Sequence, residues 1–145
     1  MQGLDAKLKV LIIEDSPDCA VLLEHYLHQL KMIYGIKMVG SGEEGLQFLN
    51  EESEKNLQEA FLPDLIFLDL NLPGEPGLEI LSKIKSLPLF SFTPVIILTA
   101  SEDKEDLRET YKKGGTFFMR KPFDQSVLTE TINHMFMTGV LKKRS

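Results

Sequence analysis

The chain has 145 residues, 43% of them hydrophobic and 26% charged, which suits one soluble domain with a core of its own. A formal charge of −6 argues against a general nucleic-acid binder, and the basic stretch Lys142-Lys143-Arg144 is too short to reverse that. No apolar run approaches the ~20 residues that cross a bilayer, no signal-peptide core stands near Met1, and a lone cysteine, Cys19, fits a reducing, cytoplasmic setting.

The first element is the apolar run Val10-Leu11-Ile12-Ile13, rich in β-branched residues, which reads as a strand buried on both faces. Glu14-Asp15 follow at its C-terminal end. Ser16-Pro17 then offer an N-cap and a proline at the first helical position, and Ala20, Leu23, Leu27 and Leu30 recur at helical spacing. Residues 36–39 are less uniformly apolar, with Lys37 among them, as an edge strand would be. Ser41 and Glu44 form a capping-box pattern ahead of a helix carrying Leu46 and Leu49. Residues 50–60 are acidic and weakly periodic, which leaves a helix extension and a surface loop both open.

Residues 65–68 form a third apolar strand, and Asp69 ends it before the turn Leu72-Pro73-Gly74. A short helix is expected from about Leu78 to Lys85, with Leu81 and Ile84 inward. A proline-bounded loop then carries Phe90 and Phe92, which would either pack over the sheet edge or offer a patch to a partner. The fourth strand, residues 95–98, ends in Thr99. Ser101 caps a helix with Glu102 and Asp103 in its first turn, and Lys112-Lys113-Gly114 end it. Tyr111 and Leu107 are expected on its inward face. Phe117, Phe118 and Met119 make a fifth strand, Lys121-Pro122 turns the chain, and Asp124 caps a last helix with Leu128, Ile132 and Phe136 inward.

Strand and helix alternate five times, so the pattern predicts an α/β, doubly wound five-stranded parallel sheet with five helices on its two faces. In such a sheet, functional groups gather beyond the C-terminal ends of the strands. Glu14, Asp15, Asp69, Thr99 and Lys121 all fall there. Carboxylates packed together repel, and a divalent cation relieves the repulsion; an all-oxygen donor set suits a hard ion, Mg2+ first and Mn2+ as an alternative. An aspartate can act as a nucleophile toward phosphorus, with a lysine and a hydroxyl beside it to hold phosphoryl oxygens. Asp69 is the expected acceptor. His25, His28 and His134 lie on the predicted helices without metal-ligand spacing and read as solvated or packed residues.

Glu14-Asp15, Asp69, Thr99 and Lys121-Pro122, in this order and context, resemble the response-regulator receiver domain, the CheY-like module of two-component signalling. The likeness runs over about residues 9–137 of a single domain spanning 1–145. The stretch Asp69-Leu-Asn-Leu-Pro-Gly74, with Asp15-Ser-Pro17, is most similar to stand-alone receivers associated with bacterial phytochrome kinases. The resemblance implies a flavodoxin-like strand order 2-1-3-4-5 and a phosphorelay role. In it, Asp69 takes a phosphoryl group from a histidine kinase or phosphotransfer protein, giving a phosphoaspartate. Glu14, Asp15, Asp69 and the backbone carbonyl of Asn71 would ligate Mg2+, while Lys121 and Thr99 would hold the phosphoryl oxygens. Thr99 and Phe118 would be the switch pair, and the Lys121-Pro122 bond would be cis. Asn71 and Ser101 would tune the lifetime of the phosphorylated state.

The resemblance implies a switching module whose catalysis stops at its own phosphorylation and dephosphorylation. Only Gly139 to Ser145 follow the last helix, so the expected output is contact with a downstream protein, or a relay. The last two helices would carry any homodimer. Three other functions compete. A phosphatase of the haloacid dehalogenase type needs an acid two residues beyond the nucleophile, where this chain has Asn71. A flavodoxin-like nucleotide binder needs a phosphate-holding loop where Glu14-Asp15 stand. A phosphorylation-independent receiver-like module would have little use for the intact acid set.

Overall fold

The computed structural model describes residues 8–100, 104–114 and 117–141. Five strands, β1 (Leu8–Ile13), β2 (Ile33–Val39), β3 (Leu65–Asp69), β4 (Val95–Thr99) and β5 (Phe117–Arg120), alternate with five helices. These are α1 (Pro17–His28), α2 (Gly42–Ser53), α3 (Gly77–Ser86), α4 (Lys104–Lys112) and α5 (Gln125–Met137). All strand pairs are parallel, and the order across the sheet is β2-β1-β3-β4-β5, as expected from the sequence.

The apolar runs form strands because both faces of the sheet are covered. Val10 and Ile12 of β1, with Leu65, Phe67, Ile96 and Leu98, pack under Ala20, Leu23 and Leu27 of α1 and Leu128, Ile132 and Met135 of α5. Their neighbours Leu11, Ile13, Ile66, Leu68, Val95 and Ile97 point the other way, onto Leu49 of α2 and Ile80, Leu81 and Ile84 of α3. The period-two alternation thus survives, but both sides of it are apolar.

The helix starts are made by side chains. The Ser16 hydroxyl accepts from the Cys19 N–H at 3.3 Å, and Asp124 Oδ1 accepts from the Val127 N–H at 3.0 Å. Ser41 Oγ accepts from the Glu44 N–H at 3.1 Å, while the Glu44 carboxylate reaches back to the N–H of Gly40, one residue before the cap. Gly77 opens α3 against Leu70: a Cβ there would sit 2.7 Å from the Leu70 Cα, so only glycine allows that approach. Gly114 follows α4 with φ +106°, the left-handed conformation of a helix stop.

The structure settles some points the sequence left open and departs from the reading at others. Residues 50–60 divide: α2 runs to Ser53, and turns follow. Glu52 is buried in that region, accepting from the Phe61 N–H at 2.6 Å and from Lys55 Nζ at 2.5 Å. The two loop phenylalanines part company. Phe90, ending a one-turn 3-10 helix (Pro88–Phe90), is buried in the α2/α3 layer, whereas Phe92 is 96% exposed. Tyr111 is 59% exposed, and Thr110, 0% exposed, takes the inward position instead. On α5 Leu128 and Ile132 are buried as expected, but Met135 joins them in place of Phe136, which is half-buried against the same cluster. The expected cap Ser101 and the acids Glu102 and Asp103 lie outside the described residues.

Candidate functional site

β1 and β3 lie side by side at the centre of the sheet, so the residues that end them are neighbours. Glu14 leaves β1 with its N–H donated to the Val39 carbonyl, and Asp69 ends β3 opposite Leu98 of β4. Both carboxylates are 3% exposed. Asp15, next along, is exposed. Carboxylate oxygens of Glu14, Asp15 and Asp69 lie within 4.8 Å of one another. Thr99, the last residue of β4, is 1% exposed, and its carbonyl accepts from the Lys121 N–H at 2.8 Å, which pins the β5 exit to β4. The Lys121-Pro122 peptide is cis, as expected.

Lys121 is the cation of this cluster. Its Nζ lies 2.6 Å from Glu14 Oε1 and 3.1 Å from Asp69 Oδ2. The second contact is a hydrogen bond; the first is an ion pair off the hydrogen-bonding directions, and Glu14 Oε1 is left buried without a hydrogen bond. The opposite oxygens have backbone donors: Ser16 N–H to Glu14 Oε2 at 3.2 Å, and Asn71 N–H to Asp69 Oδ1 at 2.8 Å. One ammonium therefore serves two buried carboxylates, with a third, Asp15, close to them.

The electrostatics separate the two buried acids. Burial pushes the Glu14 carboxyl above its ordinary value, and the neighbouring Asp69 carboxylate adds to that; Lys121 and the backbone only partly offset both. Burial also pushes Asp69 upward, but its pairing with Glu14 and its hydrogen bonds from the Asn71 N–H and Lys121 outweigh it, so Asp69 sits below the ordinary carboxylate range. Lys121 loses solvation too, yet its two acids hold its pKa above the usual lysine value. The surroundings thus favour the ionised form of Asp69, whereas burial opposes the charge on Glu14.

This donor set fits a hard divalent cation: three carboxylates, one of them open to solvent, and a buried carboxylate oxygen without a hydrogen bond. Among the described residues it is the cluster of acids, cysteines and histidines placed to hold a metal ion.

Of the other residues singled out in the sequence, Asn71 touches the site through its N–H, with its side chain exposed. Phe118 lies on β5 paired with Ile97, half-buried, with the Tyr111 ring edge-on at 4.8 Å between centroids. His25 and His28 are exposed on α1, and His134 lies edge-on to Phe117. The sequence reading missed Cys19. Its thiol is half-buried beside Glu14, and burial, then Glu14, raise its pKa to about 11. The sequence carried no signal of it beyond its place three residues past the Ser16 cap.

A doubly wound sheet of order 2-1-3-4-5, with acids closing β1 and β3, a hydroxyl closing β4 and a lysine after β5, defines a flavodoxin-like fold of the CheY type. Residues 10–133 match the response regulator receiver domain, and the chain belongs to that family. The chain is 30% identical over 115 residues to the probable C4-dicarboxylate response regulator DctR of Bacillus subtilis. That match covers 79% of this chain and 46% of DctR, so the chain spans under half of that relative's length. It is 31% identical over 103 residues to response regulator Rcp1 of Synechocystis sp., covering 71% of this chain and 69% of Rcp1. The Mn(2+)-bound form of Rcp1 has the same fold, with a TM-score of 0.74 over 95% of this chain and 99% of that one at 24% identity. The phosphorylated cyanobacterial phytochrome response regulator RcpA superposes with a TM-score of 0.76 and 28% identity, covering 97% of this chain and 100% of RcpA.

Proposed function

We propose that this protein is a phosphorylation-controlled signalling module in which Asp69 accepts a phosphoryl group from a histidine kinase or phosphotransfer protein. The observation that carries this reading is the state of Asp69: buried, hydrogen-bonded to Lys121 and the Asn71 N–H, and held ionised although three acids crowd together. An ionised carboxylate at the C-terminal rim of a sheet is a competent nucleophile toward phosphorus.

Each neighbour then has a role. Glu14, Asp15 and Asp69, with the backbone carbonyl of Asn71, would hold Mg2+, or Mn2+ in its place. Bound there, the ion would supply positive charge against the oxygens of the incoming phosphoryl group. Lys121 is within reach of the same oxygens once it lets go of Asp69. Thr99, at the end of the adjacent strand, offers a hydroxyl. Movement of Thr99 toward the phosphoryl group, with Phe118 turning inward, would pass the change to the surface formed by α4, β5 and α5.

The reading makes the protein a switch whose chemistry is confined to its own phosphorylation state. It acts in the cytoplasm through a downstream protein, with homodimerisation available through α4 and α5. The likeness to the phytochrome response regulator RcpA supports a phytochrome-type kinase as donor. The test is intact mass after incubation with acetyl phosphate and Mg2+. One phosphoryl adduct is expected on the natural chain and none on Asp69→Asn; an adduct on both, or on neither, overturns the assignment.

A further inference from the structure

A cleft of about 540 Å3 opens beside the site, walled by Cys19 and Leu22 of α1, Ala100 after β4, and Pro122 and Phe123 after β5, with Lys121 among its lining residues. Lys121 is also the residue that bonds Asp69, so the cleft and the acceptor site are continuous. Its walls are mostly apolar, and its volume suits a small molecule. Asp18 also lines it, and with the acids behind Lys121 it disfavours a second negative group there.

We propose that this cleft seats the acyl group of a small acyl phosphate, and that it sets a preference for uncharged, apolar acyl chains as phosphoryl donors. This inference rests on Asp69 being the acceptor. The donor chemistry is a displacement at phosphorus. An Asp69 carboxylate oxygen forms the new P–O bond, the bond between phosphorus and the acyl oxygen breaks, and that oxygen leaves with the electron pair as a free carboxylate. No proton is required on either side. The leaving acid must depart away from Asp69, past Lys121 and Ala100, the residues through which the cleft joins the site. A longer apolar chain then buries methylene groups against Leu22, Pro122 and Phe123, and each buried methylene is worth about a fourfold change in rate.

Acetyl and butyryl phosphate test this cleanly, because their leaving carboxylates are nearly equal in basicity and differ only in apolar length. Second-order rate constants for the Asp69 adduct are measured by intact mass at fixed Mg2+, on the natural chain and on Leu22→Asp and Leu22→Ser. Leu22 is 42% exposed, so both variants should keep the fold. The natural chain is expected to favour butyryl over acetyl phosphate by roughly tenfold. That ratio is expected to fall toward unity in Leu22→Asp, with Leu22→Ser between. An adduct from acetyl phosphate with no butyryl preference, or a preference that Leu22→Asp leaves intact, overturns the inference and leaves Asp69 as acceptor. No adduct on Asp69 from either donor overturns the acceptor assignment itself.

Discussion

Replacing Asp69 by asparagine should make the metal-free protein less stable, because the fold favours the ionised form of this carboxyl. Glu14 and Asp15 place like charges with oxygens no more than 4.8 Å away, but Lys121 at 3.1 Å and the Asn71 N–H at 2.8 Å outweigh them. Asparagine keeps the shape and can still accept from the Asn71 N–H, but it loses the charge that faces Lys121. A hydrogen bond to a charged group exceeds a neutral one by about 1 kcal/mol. In a chain of this size that is a fall of about 3 °C in Tm. Mg2+ should widen the gap: a ligand at a hundred times its Kd stabilises by about 2.7 kcal/mol, and the variant, short of one ligand, gains less. Differential scanning calorimetry of both proteins, with EDTA and with Mg2+, measures all four values. An asparagine variant melting above the natural chain in EDTA, or an equal Mg2+ shift in the two, would refute the reasoning.

Three further outcomes follow from packing and charge. The Lys55 ammonium and the Phe61 N–H hold Glu52 below its ordinary pKa, so it stabilises the fold above the unfolded carboxylate value near pH ~4.3 and that contribution fades as pH falls through the folded value. Glu52→Gln should therefore cost about 1–3 kcal/mol in urea at neutral pH, and the gap should close below about pH 4; a gap that is flat with pH sinks the idea. Phe90→Ala should cost about 3–5 kcal/mol in the same assay, while Phe92→Ala stays within about 0.5 kcal/mol, since one ring is buried and the other is 96% exposed. With its pKa raised to about 11, the Cys19 thiol should react with iodoacetamide at pH 8 far more slowly in the native protein than in urea, and comparable rates would show that the thiolate is not suppressed.

The strands were legible because a sheet covered on both faces needs unbroken apolar runs, and this chain has little else of that kind. Asp69, Glu14, Thr99 and Lys121 were legible because parallel topology sends every strand's C-terminal end to one rim. What stayed hidden depends on side chains meeting across long separations. Nothing local distinguishes Phe90 from Phe92; the 3-10 turn decides which ring enters the core. Tyr111 and Thr110 both fit a helical face, and the crossing of α4 over the sheet chose the smaller residue. The bond from the Phe61 N–H to buried Glu52 spans nine positions of an acidic stretch with no periodicity to betray it.

Lys121 and Asp69 are 52 positions apart, and the lysine reaches the acids only when the Lys121 N–H has joined the carbonyl of Thr99. The acids are therefore made first as the chain is synthesised, and their counter-charge arrives near the end. Until the fifth strand docks, the rim is an unneutralised anionic pocket. A half-made or partly unravelled molecule cannot pass for a working one, because completeness of the sheet is itself a condition for assembling the chemistry.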